Sequence, residues 1–140
     1  YSAGQKLWQI LPLGTTGYGD SPYQLFSTFA GNPYFIDLDQ LVGEGLLTEE
    51  ECNSYDWGKK SNYIDYEKIY LSRFKILRKA YKRSNIGDSK KFNAYCKKNS
   101  WWLDDYALYM SIKDSYEGKP WIEWDEEIRE RKEDALLSYK

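Results

Sequence analysis

Glycine and proline break up residues 11–22 so densely that no helix or strand period survives there. The stretch LPLGTTGYGDSPYQLFSTFAGNPY holds Pro12, Gly14, Gly17, Gly19 and Pro22 in its first half. Tyr18, Tyr23, Phe26, Phe29 and Tyr34 sit among those turn residues. Before it comes a single strand-like segment, KLWQIL, which alternates weakly and stops at Pro12. After Asp65 apolar residues recur at helical spacing and no second strand pattern follows. A lone strand has unpaired edges on both sides, so this chain cannot build a sheet from its own residues.

The coarse plan is therefore a barrel- or sheet-type strand and its loop over residues 1–45, then a helical insertion subdomain over 46–140. YSAGQK has the pattern of a helix tail with Gly4 as its C-terminal cap. Helix tail, glycine and apolar strand make the α-to-β half of a βαβ unit. Ser21-Pro22 has the form of an N-cap with proline at the first helical position, predicting a short helix to about Ala30 with Phe26 and Phe29 on its inner face. YFIDL is predicted as a short extended piece. Asp37 or Asp39 caps LDQLVGE, which Gly45 closes. Thr48 with Glu51 forms a capping box. Asp65 caps a helix whose stripe Tyr66, Tyr70, Phe74, Leu77 and Tyr81 is the expected core face. Asp88 is expected to cap SKKFNAYCKKN. A further helix runs from Trp102 or Leu103 to about Tyr116, with Leu103, Tyr106, Ala107 and Met110 on one stripe, and Asp125 caps the last. The chain opens on Tyr1 and its final pattern carries no stop signal, so a piece of a longer protein is expected.

Composition narrows the chemistry. The 140 residues carry a net charge of −2, which argues against a nucleic-acid partner, since that would want a basic face. No stretch approaches the roughly 18 apolar residues of a membrane span. Without histidine there is no imidazole metal site, no Ser-His triad and no imidazole acid–base work. Cys52 and Cys96 stand far apart, which is neither a disulfide framework nor a zinc knuckle, and a reducing cytoplasmic setting is expected. Glu49, Glu50 and Glu51 suit the first turn of a helix. Asp104 and Asp105 flank an apolar stripe, where a solvated face or a structural hydrogen bond competes with a functional role. GTTGYG lacks the Lys-Ser/Thr ending of a P-loop and the spacing of a dinucleotide fingerprint. The aromatics stand out, with 14 Tyr and 6 Trp. Flat rings with a polar tip suit a sugar, which has apolar CH faces and many hydroxyls. Tyr18 and Tyr23 lie on a loop after a strand, where scaffolds present functional side chains; packing over the strand end is the competing role.

WQILPLGTTGYGDSPYQLFSTFAGNPYFIDLDQL resembles the amylomaltase family, the 4-alpha-glucanotransferases also called disproportionating enzymes. NYIDY, WWLDDYALYMSIK and KPW followed by a tryptophan fit the same family in order and spacing, so the resemblance covers nearly all of the chain. Thr15 stands where the family usually has proline, and Leu25 where it often has serine. The resemblance implies a (β/α)8 barrel of which KLWQIL is the second strand and PLGTTGYGDSPYQ an active-site loop. It implies transfer of α-1,4-glucan segments between maltooligosaccharides by a retaining double displacement, with no cofactor and no metal. The family's catalytic carboxylates lie on later strands, so no catalytic residue is expected before Lys140. The chain alone is expected to be mostly α and inactive. Tyr23 matches the tyrosine that stacks near the sugar at the cleavage point, and Ser21 a neighbouring glucan contact. Tyr18 and Tyr70 match aromatics that hold a glucan at a second position in some members, though Tyr70 also lies on the expected core stripe. Asp20 is expected to fix the loop through backbone N–H groups, and Asn32 with Pro33 to end the short helix. The expected partners are α-1,4-glucans and the rest of the barrel. A stand-alone glucan-binding module and a purely structural helical domain are the other classes in play.

Overall fold

The computed structural model describes residues 2–17, 19, 21–59 and 62–139. Among them every regular element is a helix or a 3-10 turn. The chain divides into two compact units, residues 1–86 and 87–140.

In the first unit, residues 5–13 form no ladder. The expected strand finds no partner among the described residues. Leu7 and Trp8 are 93% and 90% exposed, and Ile10, Leu11 and Leu13 also face solvent. The helix expected over residues 21–30 does not form either. That segment is a series of turns, because Ser21 and Ser27 hydrogen-bond to nearby backbone instead of leaving it to helical bonds. The piece expected to be extended at YFIDL opens as a 3-10 turn, Pro33–Phe35. Asn32 caps its start rather than ending a helix.

Three helices complete this unit. Helix α1, Leu38–Gly43, is capped by Asp37, whose carboxylate accepts from the Asp39 N–H. Gly45, at φ +74°, closes it. Helix α2, Glu49–Asn53, opens with the expected Thr48–Glu51 capping box. Helix α3, Tyr66–Arg83, is capped by Asp65 as expected. The buried face of α3 is not the tyrosine stripe. Tyr66, Tyr70, Phe74 and Tyr81 are exposed, while Ile76 is fully buried and Ala80 nearly so. Ile76 and Ala80 pack with Leu47, Leu41 and Leu46, because Ala80 gives α1 and α2 room to approach. Glu51 fastens α2 to that side through both Arg83 nitrogens, at 2.6 and 2.8 Å.

The second unit is built on one long helix, α4, Lys90–Ser115. The two helices expected here are continuous, since neither Gly nor Pro occurs between Lys90 and Ser115. Ser89, not Asp88, caps it, by accepting from the Phe92 N–H. Its buried position is Ile112, flanked by Leu108 and Tyr109, rather than the Leu103–Met110 stripe. Trp124, Ile128 and Leu136 close over Ile112. The last helix is interrupted at Arg131, whose φ of +57° separates α5, Glu126–Arg129, from α6, Glu133–Leu136. Asp125 precedes α5 but makes no side-chain cap; its carboxylate accepts from the Tyr116 hydroxyl at 2.8 Å.

Candidate functional site

The loop between Leu13 and Asn32 is closed by its own backbone. The Asn32 N–H donates to the Leu13 carbonyl at 3.0 Å, and Gly14 and Gly31 form an antiparallel bridge. One step inward the Phe26 N–H donates to the Thr15 carbonyl at 3.2 Å, and Thr16 bridges Leu25. These closures bring chain segments so near that a Cβ at Gly14 would meet Leu25 Cδ1 at 2.9 Å and the carbonyls of Ser27 and Ala30 at 3.1 and 3.3 Å. Glycine is required there by the close approach.

At the far end, Ser21 to Gln24 make a hydrogen-bonded turn around Pro22. The Gln24 N–H donates to the Ser21 carbonyl at 3.1 Å and the Tyr23 N–H to Ser21 Oγ at 3.4 Å. Proline sets the φ of the turn, and the serine hydroxyl holds the tyrosine backbone. The Tyr23 ring stands 75% exposed on this support. At the loop's exit Asn32 Oδ1 accepts from the Tyr34 N–H at 2.9 Å. Arg73 Nη2 on α3 donates to the carbonyls of Tyr34, at 3.1 Å, and Ile36. The Arg73 guanidinium lies over the Trp57 ring, 6.0 Å from its centroid. Burial pushes its pKa down, with the field of Asp37 opposing. The Tyr34 and Phe74 rings meet at 5.9 Å. A cleft of about 560 Å³ opens between this exit turn, Trp57 and Arg73.

Ser21 and Tyr23 thus share one turn. Tyr70 stands 60% exposed on α3, which removes its expected core role. Among the described residues no hydrogen bond or ring contact joins Tyr70 to that turn. Tyr18 and Asp20 lie outside the described residues.

The carboxylates singled out by sequence have structural partners where their contacts are defined. Glu51 completes the cap of α2 and binds Arg83, which holds its carboxyl down at about 2. Asp105 accepts from Arg131 at 2.6 Å, both groups being exposed. Cys52 and Cys96 are unpaired and half-buried, and burial pushes the Cys52 thiol pKa up, away from nucleophile chemistry. Arg73 and Gly14 escaped the sequence reading. Gly14 had a signal in the glycine-dense loop; Arg73 had none, since it is one of several cations on α3.

A family model described as 4-alpha-glucanotransferase matches residues 1–140. The chain belongs to the 4-alpha-glucanotransferase family. It is 49% identical over 138 residues to the 4-alpha-glucanotransferase of Streptococcus pneumoniae serotype 4, covering 97% of this chain and 27% of that protein. The Clostridium butyricum 4-alpha-glucanotransferase is 46% identical over 138 residues, covering 99% of this chain and 28% of its own length. The structure superposes on amylomaltase from Streptococcus agalactiae in complex with acarbose with a TM-score of 0.82 at 37% identity, covering 96% of this chain and 28% of that one. The chain therefore spans about a quarter of the length of these relatives. Among the described residues no helix is long and apolar enough to cross a membrane.

Proposed function

We propose that this chain is part of a cytoplasmic 4-alpha-glucanotransferase that moves α-1,4-glucan segments between maltooligosaccharides by a retaining double displacement. The observation that carries the proposal is the family match along all 140 residues, with 49% identity to a curated 4-alpha-glucanotransferase. In this reading residues 1–45 belong to a (β/α)8 barrel and 46–140 to a helical insertion. The exposed apolar run at Leu7, Trp8, Ile10 and Leu11 supports the barrel, because a strand covered on both faces needs such residues.

The chain's own share is glucan binding. Tyr23 offers a sugar ring its exposed face, held by the Ser21–Gln24 turn, and Ser21 adds a hydroxyl beside it. A ring stacked there also keeps water from the reacting centre, which favours transfer over hydrolysis. Tyr18 and Tyr70 serve a second glucan position. The nucleophile and the acid/base carboxyl belong to other parts of the protein. The ion-paired and capping roles of Glu51, Asp37 and Asp65 support that division, since those carboxylates are already engaged.

In the full-length enzyme, Tyr23→Ala should lower kcat/KM for maltotriose disproportionation by roughly ten- to a hundredfold, a loss of about 1.4–2.7 kcal/mol in transition-state binding. Unchanged kinetics would remove Tyr23 from the site. The 140-residue chain alone should make no longer oligomers from maltotriose. Tight calorimetric binding of maltoheptaose by that chain would favour a stand-alone glucan-binding module.

A further inference from the structure

The loop bearing Ser21 and Tyr23 is closed at its base by its own backbone, but a side chain from elsewhere in the unit fastens its exit. Arg73 Nη2 directs its two protons at two carbonyls, Tyr34 inside the exit turn and Ile36 at its end. The guanidinium lies over the Trp57 ring, 6.0 Å from its centroid, and Trp57 is itself fixed by its indole N–H donating to the Cys52 carbonyl at 2.8 Å. Among the described residues no carboxylate forms a salt bridge with Arg73, and its Nε has no hydrogen-bond partner. A half-buried charge compensated mainly by two carbonyls and a ring is a costly way to hold a helix in place. Ile76 and Ala80 already supply apolar packing on the same helix. What the charge adds is direction, since a planar guanidinium over a ring fixes the plane in which Nη2 meets the two carbonyls.

Tyr70 lies three residues before Arg73 on α3, so both side chains leave neighbouring turns of one face. We propose that Arg73 is the positioning residue that holds the Ser21–Tyr23 loop against α3 and sets where Tyr23 stands for glucan transfer. This rests on the assignment of Tyr23 to the glucan site. Arg73 acts through the exit turn and touches no sugar. Lysine is a poor replacement, because an ammonium lacks the planar guanidinium whose Cζ sits over Trp57 while Nη2 serves both carbonyls.

The test uses the full-length enzyme with maltotriose, following oligomer formation for transfer and reducing-end release for hydrolysis. Arg73→Met should lower kcat for transfer at least tenfold while KM changes less than threefold, and the hydrolysis-to-transfer ratio should rise several-fold. Arg73→Lys should recover only part of the transfer. Ile76→Val provides the control, because it loosens the same helix without touching the tether; conditions are chosen so that the two variants have equal urea midpoints. Equal transfer rates and equal ratios in the matched pair would show that Arg73 only stabilises and would overturn the proposal. A double variant with Tyr23→Ala should lose little beyond the larger single effect, because a misplaced ring costs nothing once the ring is gone. Full additivity would also overturn it. A silent Tyr23→Ala would instead sink the glucan-site assignment, whereas a silent Arg73→Met sinks the tether alone.

Discussion

Gly14 and Gly31 face each other in one bridge, yet alanine should be tolerated at only one of them. A Cβ at Gly14 would come within 2.9 Å of Leu25 Cδ1 and 3.1 and 3.3 Å of two carbonyl oxygens, whereas at Gly31 nothing lies within 4 Å. Neither glycine has a positive φ, so alanine meets no backbone strain at either. Both substitutions narrow the unfolded ensemble equally, which by itself favours the folded loop by about 0.4–1 kcal/mol. The difference between the two variants therefore isolates the steric conflict. Leu25 can turn its terminal methyl aside, but the Ser27 and Ala30 carbonyls belong to the backbone of the loop and cannot. Overpacking of this kind costs about 1–3 kcal/mol; with the methyl free to move, the lower part of that range applies, about 1–2 kcal/mol.

The Phe26 and Asn32 amides report on loop closure, because each donates across the loop. Their hydrogen exchange reads the local opening free energy directly. Relative to Gly31→Ala, exchange at both amides in Gly14→Ala should be about five- to thirtyfold faster, the factor that 1–2 kcal/mol supplies. Gly31→Ala alone should slow exchange about two- to fivefold. Equal rates in the two variants would show that the chain segments do not approach as closely as described, and the account of Gly14 would fail.

Ile76→Ala empties a side chain that is fully buried in the core of the first unit and should cost about 2–5 kcal/mol, read from the urea midpoint of the chain. Glu51 supplies a pH signature. Its carboxyl is held at about 2 by the Arg83 hydrogen bonds, against 4.5 unperturbed. A depressed folded pKa means that its stabilisation is fully present above about pH 4.5 and is lost as the pH falls toward about 2. The stability difference between wild type and Glu51→Gln should therefore shrink across that window; a difference that is flat with pH would refute the pairing.

The parts legible in sequence were those decided within a few residues. The Thr48–Glu51 capping box and the Asp65 cap each depend on a side chain reaching backbone within its own turn, and the Gly45 stop on a φ of +74° that glycine adopts freely, so the local order of residues suffices. The motif run from Trp8 to Leu41 was enough to assign the family, which the match over 140 residues established. Where sequence reasoning failed, two local solutions competed. Ser21-Pro22 suits a helix start and a tight turn equally, and the turn prevailed because residues 14–16 offer backbone partners to residues 25, 26 and 31. Asp125 suits a cap, but the Tyr116 hydroxyl claims its carboxylate from nine residues away.

The same division separates sequence from tertiary structure in the protein as a whole. Local spacing alone determined that residues beyond Asp65 are helical and that Pro12 to Pro22 is a loop, and the lack of histidine excluded imidazole chemistry from these 140 residues. The face of α3 that is buried was a tertiary decision. Two apolar stripes compete on that helix, and the packing of Leu41, Leu46 and Leu47 against Ile76 and Ala80 left the tyrosines outside. The tether from Arg73 to Tyr34 and Ile36 was likewise invisible beforehand, since it joins residues 37 and 39 positions apart. Helical spacing identifies which residues share a face; the surface that comes to meet that face depends on the path of the rest of the chain.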